Sequence, residues 1–255
     1  TGIGNRNSFY QEISLRLAGR QRFQVILLSL HHFVNVNQRF GHAAGDAFLY
    51  EIARWLDHME PEGRAFRFGN VEFALLLPWE SQEKGRSSLE TVQRRFQRTW
   101  TLGDAETLIP ARLTELVCRG QAWTEAQVLE LLEHGLRLAK QGPEETVECG
   151  EAVWEALERR KELLELIRRS RFLHFGSVSL TAGPARDTTL FAARKAREMG
   201  VLVSYDPNYR QALWNSEAEA VEWMKKPLPL VDVLKISKEE PPLVTGTADL
   251  AEGTK

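Results

Sequence analysis

The stretch RAFRFGNVEFALLL, Arg64–Leu77, decides how this chain is read, and its centre is RFGNVEF at Arg67–Phe73. Two strand-like runs, Arg64–Phe68 and Glu72–Leu77, flank Gly69-Asn70, a pair suited to a tight turn with positive φ. A β-hairpin is expected there.

Outward from the hairpin, the first half alternates helix and strand patterns. Asn7–Leu17 reads as a helix, Phe23–Leu30 as an apolar strand, and Ala44–Leu56 as an amphipathic helix. After the hairpin come a polar helix over Ser87–Thr99, a strand over Leu108–Cys118 and a leucine-rich helix over Glu125–Lys140, stopped by Gln141-Gly142-Pro143. Glu151–Ser170 is a charged helix and reads as a solvated connector. Beyond it, strands at Phe172–Phe175, Val201–Tyr205 and Val231–Ile236 alternate with helices at Ala185–Met199 and Glu217–Lys225. That succession predicts a parallel sheet. The fold class is therefore α/β, in three parts: a domain over 1–150, a helical linker over 151–165 and a second segment over 166–255.

The bulk numbers exclude some function classes. The 255 residues carry a formal net charge of −2, which argues against general nucleic-acid or membrane-surface binding. No apolar run is long enough to span a bilayer. Two cysteines, Cys118 and Cys149, are too few for a disulfide framework and suit reduced thiols in a cytoplasm. The chain opens at Thr1 without a methionine and closes in the polar run Thr245–Lys255, which reads as a piece of a longer multidomain protein.

Four motifs in order carry a resemblance. They are TGIGNR at Thr1–Arg6, SLHHFVNVNQRFGHAAGD at Ser29–Asp46, the RFGNVEF hairpin, and LEHGLRLAKQG at Leu132–Gly142. Over about residues 1–160 the chain resembles the GGDEF family, the diguanylate cyclases of cyclic di-GMP signalling. The resemblance implies a mostly antiparallel central sheet of the nucleotidyl-cyclase and polymerase-palm kind. Such enzymes hold two divalent cations on carboxylates while a ribose 3′-hydroxyl attacks the α-phosphate of a second GTP. The positions matching those carboxylates are Ser29 and Val71, with His31 in place of a further aspartate and Gln38 in place of another. Glu72 is retained. No catalytic residue and no metal site are therefore expected, and the domain reads as a degenerate cyclase.

The guanine-reading positions persist as Asn37 and Asp46, with Gly69 allowing close approach to phosphate and Lys140 matching a phosphate-contacting lysine. Alternatively, Asn37 steadies its loop and Asp46 caps a helix that starts at Ala47. The family's product-inhibition Arg-x-x-Asp falls on Glu60 and Gly63 and is absent. His31 and His32, read as strand neighbours, should point to opposite faces and not share an ion. Trp55, Trp79, Trp100 and Trp123 read as packing residues.

The second segment resembles part of the ribokinase-like (PfkB) sugar kinases, the fructokinases among them. LHFGSVSL at Leu173–Leu180, the run from Pro184 to Trp214, and VDVLKISKEE at Val231–Glu240 carry it. The resemblance implies sugar- or phosphate-binding roles for Gly176, Ser177, Asp206, Asn208, Arg210 and Glu240, with Ser237 replacing an asparagine. The family's glycine-rich substrate segment and its Gly-Ala-Gly-Asp motif are not in this chain.

Three whole-chain readings follow. One is a catalytically inactive, regulatory GGDEF domain that binds GTP or GDP, joined to an incomplete kinase segment. Another is part of an ATP- and Mg²⁺-dependent sugar kinase, and the third is a non-functional fusion. The partners implied are a guanine nucleotide and a protein partner or second copy.

Overall fold

The computed structural model describes residues 2–237 and 240–244. Thr1 of the first motif, Lys238 and Glu239 of the Ser237–Glu240 motif, and the polar run Thr245–Lys255 lie outside the described residues. The chain divides into two compact units, 1–155 and 156–255.

In the first unit, β1 (Gly4–Asn5) leads into α1 (Arg6–Ala18), which starts where the Asn5 side chain accepts the Ser8 N–H at 2.9 Å. β2 (Phe23–Leu30), α2 (Phe33–Phe40) and α3 (His42–His58) follow. The hairpin is β3 (Arg64–Arg67) and β4 (Glu72–Pro78), then α4 (Gln82–Phe96). A small ribbon, β5 (Thr99–Leu102) and β6 (Ala105–Leu108), precedes β7 (Ala111–Cys118). α5 (Glu125–Gln141) opens on a capping box of Thr124 and Gln127 and leads to β8 (Thr146–Cys149). α6 (Glu151–Arg169) starts in this unit and runs into the second.

The main sheet has the order β1-β3-β4-β2-β7-β8. Its inner pairings are antiparallel and its two outer ones parallel. Central β2 is covered on both faces, so all eight of its residues are buried. On one face Ile26, Leu28 and Leu30 join Phe48, Ile52 and Leu56 of α3 and Leu89, Val92 and Phe96 of α4 in one core. Each such side chain contributes about 2 kcal/mol by leaving water. On the other face, Phe9 of α1 meets Phe66 and Phe68 edge-on at 5.4 and 5.6 Å, and α5 packs on β7, β8 and β2. A Cβ on Gly135 would collide with Thr114 Oγ1 and Cys149 Sγ, so that glycine lets α5 sit close to the sheet.

The second unit carries β9 (Phe172–Gly176), α7 (Gly183–Glu198), β10 (Leu202–Asp206), α8 (Glu217–Lys225), β11 (Val233–Leu234) and α9 (Pro241–Val244). Its sheet, β11-β10-β9, is parallel throughout, as the alternation predicts. Ala192, Ala193, Ala196 and Val203 form one small core, and Leu180, Tyr205, Trp214, Ala220 and Met224 another.

Several expectations are corrected. The polar helix starts at Gln82, not Ser87, because Ser81 caps it by accepting the Lys84 N–H at 3.1 Å. Leu108 belongs to β6, and β7 starts only after Pro110, which has no N–H to give a ladder. The third strand of the second unit shrinks to Val233–Leu234, because a turn over Leu228–Leu230 precedes it. Neither Gly69 nor Asn70 has positive φ. Phe68 and Gly69 instead both donate their N–H to the Glu72 carbonyl at 2.9 and 3.1 Å, and a Cβ on Gly69 would stand 2.7 Å from Glu72 Oε2. The glycine is not needed for left-handed backbone, and the atom nearest its missing Cβ is the movable end of the Glu72 side chain. His31 and His32 do not alternate across a strand: β2 ends at Leu30, His32 has φ +55°, and the two rings touch at a tilt of 45° with centroids 3.8 Å apart. Asp46 caps nothing, since α3 already starts at His42.

Candidate functional site

Pairing register builds the mouth of the hairpin. Ser29, near the end of β2, lies opposite Glu72 on β4 and opposite Arg112 on β7. Directly paired residues share a sheet face, so Glu72, Ser29 and Arg112 form a row across three strands. Ser29 is buried. Lys140, from the last turn of α5, places Nζ 2.6 Å from Glu72 Oε1. Two residues read separately from the sequence are thus one ion pair, about a quarter to two-fifths exposed. Solvent screening limits such a pair to about 1 kcal/mol or less. Arg112 Nη1 is buried with no acceptor among the described residues. The pKa of His31 is lowered, first by burial, then by the neighbouring charge of His32 and then by that of Arg112.

Val71 offers no ligand. Its side chain packs against the sheet core and its carbonyl accepts the Leu30 N–H at 2.9 Å. Among the described residues no group of three or more His, Cys, Asp and Glu side chains is placed to hold a metal. A hydroxyl, an isopropyl group and a guanidinium around one carboxylate do not fit a hard divalent cation, which needs several oxygens.

Beside this row lies a cavity of about 320 Å³, lined by Arg6, Leu27, Phe68, Glu72, Leu136 and Lys140 among others. Arg6 spans its rim: the guanidinium lies 4.6 Å from the Phe68 ring and its Nη2 is 2.6 Å from Glu133 Oε1. The opening motif contains Arg6, but its place at this cavity depends on α1 and α5 being neighbours, which no local pattern gives.

The base-reading candidates lie on α2 and α3, which cover the other face of the sheet but meet the row at the same strand ends: α2 starts at Phe33, just past the end of β2 at Leu30. Asn37, half-buried on α2, sets Oδ1 over Gly45 of α3, where any Cβ would intrude. Asp46 follows Gly45 and is exposed. Arg67, whose register partner is Phe73, carries its charge toward Asp46. Burial lowers the pKa of Arg67 and the Asp46 carboxylate raises it. Arg67 also straps the turn, donating Nε to the Gly69 carbonyl at 2.7 Å and Nη2 to that of Asn70. Its Nη1 is buried without an acceptor among the described residues.

In the second unit, the kinase-like positions cluster where the parallel strands end. Gly176 pairs with Asp206, and a Cβ there would lie 3.2 Å from the Asp206 carbonyl. Buried Ser177 donates its N–H to the Pro207 carbonyl at 3.2 Å. Lys235 Nζ sits 2.8 Å from Asp206 Oδ2, Asn208 adopts φ +40°, and Arg210 is exposed. Buried Glu240 spends both oxygens on backbone, accepting the N–H of Tyr209 and of Ser237 at 2.8 Å each. The sequence places these residues at one edge but gives no sign that Glu240 is a backbone clasp.

Both cysteines are free thiols. Burial pushes the Cys118 thiol up to about 12 from its ordinary 9.0. A raised thiol favours the folded state while protonated, so this contribution is lost as pH rises between about 9 and about 12. At pH 8 the native thiolate fraction falls roughly a thousandfold. A thiol-selective reagent is expected to label Cys118 only as fast as the first unit opens; prompt labelling of the native chain, read by mass spectrometry, would contradict that burial.

Comparison with known proteins agrees with this geometry. The family model described as "Diguanylate cyclase, GGDEF domain" matches residues 1–109. The diguanylate cyclase SiaD of Pseudomonas aeruginosa, solved with its activator SiaC, is 25% identical with TM-score 0.52, covering 58% of this chain and 60% of that one. The GGDEF domain of YfiN from the same organism is 23% identical with TM-score 0.53, covering 59% of this chain and 98% of that domain. That of DgcB from Caulobacter crescentus, solved with c-di-GMP, has 21% identity and TM-score 0.51, over 59% and 91%. Among curated proteins, Fructokinase-1 of Oryza sativa and of Zea mays are each 43% identical over 83 residues, 32% of this chain. The chain spans about a quarter of the length of those relatives. It thus contains a GGDEF domain of α/β cyclase-like fold and a partial fructokinase-like segment. Among the described residues no helix is long and apolar enough to cross a membrane.

Proposed function

We propose that the GGDEF domain of this chain is a catalytically inactive guanine-nucleotide-binding module with a regulatory role. The observation that carries this is the row Glu72–Ser29–Arg112, with Val71 turned into the apolar core. Cyclase chemistry needs cations between carboxylates at the reacting phosphate. A guanidinium opposite Ser29 repels such a cation. Retention of Asn37 over Gly45 and of Asp46 within reach of the Arg67 charge supports the base-binding half of the reading, because an amide and a carboxylate suit the donor-rich edge of guanine.

The 166–255 segment is proposed as the fructokinase-like part, coupled to the module rather than phosphorylating sugar. The engagement of Asp206 by Lys235 and of Glu240 by two backbone N–H groups supports that assignment. Cytoplasmic residence is proposed from the two free thiols. A protein partner is proposed by analogy with the activator-bound cyclase.

The test is calorimetry with GTP and GDP beside an assay for cyclic di-GMP. Binding without product is expected, and Asp46→Ala should weaken it at least tenfold, about 1.4 kcal/mol. Formation of cyclic di-GMP, or no binding at millimolar nucleotide, would overturn the reading.

A further inference from the structure

We propose that Arg112 takes the place of the missing cation, so that this domain grips the phosphates of its nucleotide through a guanidinium and an ammonium group and needs no metal. The inference deepens the function proposed above and rests on it for the identity of the base.

The argument starts from register. Arg112 faces Ser29 from β7, as Glu72 does from β4, so the three side chains stand on one face. Two strand spacings, about 10 Å, separate the ends of the row. Lys140 neutralises Glu72 at 2.6 Å. Summed along the row, Lys140 (+1), Glu72 (−1), Ser29 (0) and Arg112 (+1) leave one positive charge, located at Arg112. In a cation-dependent site the middle of the row, at Ser29, would instead carry a carboxylate.

The guanidinium is also underemployed. Its Nη1 is buried without an acceptor among the described residues. Leaving a charged donor unsatisfied costs about 1–3 kcal/mol or more, and a phosphate oxygen would remove that cost. The planar fork suits phosphate, and a phosphate needs two or three such donors rather than one. Lys140 and the His31 ring, held toward its neutral donor–acceptor form by burial, His32 and Arg112, border the same end of the sheet. The Val71 side chain leaves nothing there to compete for a cation.

The test titrates the full chain with GTP, guanosine and inorganic tripolyphosphate, each with EDTA and with Mg²⁺. GTP and tripolyphosphate are expected to bind equally well or better in EDTA, and guanosine about tenfold more weakly than GTP. Arg112→Gln should bring GTP to the guanosine level and abolish tripolyphosphate binding, leaving guanosine unchanged. Arg112→Lys, which keeps the charge and loses the fork, should lose less, and it serves as the test if the glutamine variant does not fold. Strict Mg²⁺ dependence, or unchanged GTP and tripolyphosphate affinity in both variants, overturns the inference. Tripolyphosphate binding without guanosine binding would sink the guanine reading and leave the anion site standing; guanosine binding without any contribution from phosphate does the reverse.

Discussion

Glu240→Ala is expected to unfold the second unit at temperatures where the first stays intact. The carboxylate accepts two backbone N–H groups, from Tyr209 and Ser237, at 2.8 Å each, while itself buried. Hydrogen bonds to a charged group contribute about 1.5–3 kcal/mol each, and the alanine leaves both donors in a dry site. A loss of about 3–5 kcal/mol follows, against a unit whose cores are two small clusters. Glu240→Gln retains one acceptor oxygen and should lose about half as much. Hydrogen exchange reads the result by segment: amides of β9 and β10 should lose protection while those of β2, β4 and β7 keep theirs. Unchanged protection at β10 would show that Glu240 does not clasp the loop after it.

The first unit has its own critical point at Gly135. Alanine in a helix interior normally gains about 1 kcal/mol over glycine. Here the new methyl would press inside 3.0 Å of Thr114 Oγ1 and Cys149 Sγ, neither of them the free end of a long side chain. Overpacking costs about 1–3 kcal/mol, occasionally more. The clash therefore outweighs the propensity gain, and Gly135→Val, larger and branched, should cost more than about 3 kcal/mol. Gly150→Ala, with nothing within 4 Å, is the matched control. Urea denaturation of both variants decides it: equal midpoints would mean that α5 can shift outward without penalty.

How much of this was legible in the sequence depends on how local the cause is. β2 and α8 have the bounds that periodicity predicts, because each is a single run bracketed by polar residues. α4 starts five residues before the sequence pattern places it, since Ser81 as a cap is a weaker signal than the charged run inside the helix. That Ser29 and Val71 stand where the resemblance expects metal carboxylates is legible residue by residue. That Lys140 pairs with Glu72 is not, because those residues meet only when α5 crosses the sheet. The place of Arg112 is hidden for the same reason: its meaning lies in facing Ser29 across β2 and β7, and register is set by turns far from both. The contact between the His31 and His32 rings is hidden by one left-handed residue, His32, at a point where the strand pattern has already ended.

The full burial of β2 has a consequence for how the protein is made. FQVILLSL carries no charge and no proline, and its partners β4 and β7 begin only at Glu72 and Ala111. A growing chain therefore leaves the ribosome with its stickiest segment finished long before either neighbouring strand exists. Such segments associate between chains when they wait unpaired. Yield at rising temperature should be governed by that waiting time, and slowing translation between Leu30 and Ala111 should lower the recovered fraction even though the finished sheet hides every residue concerned.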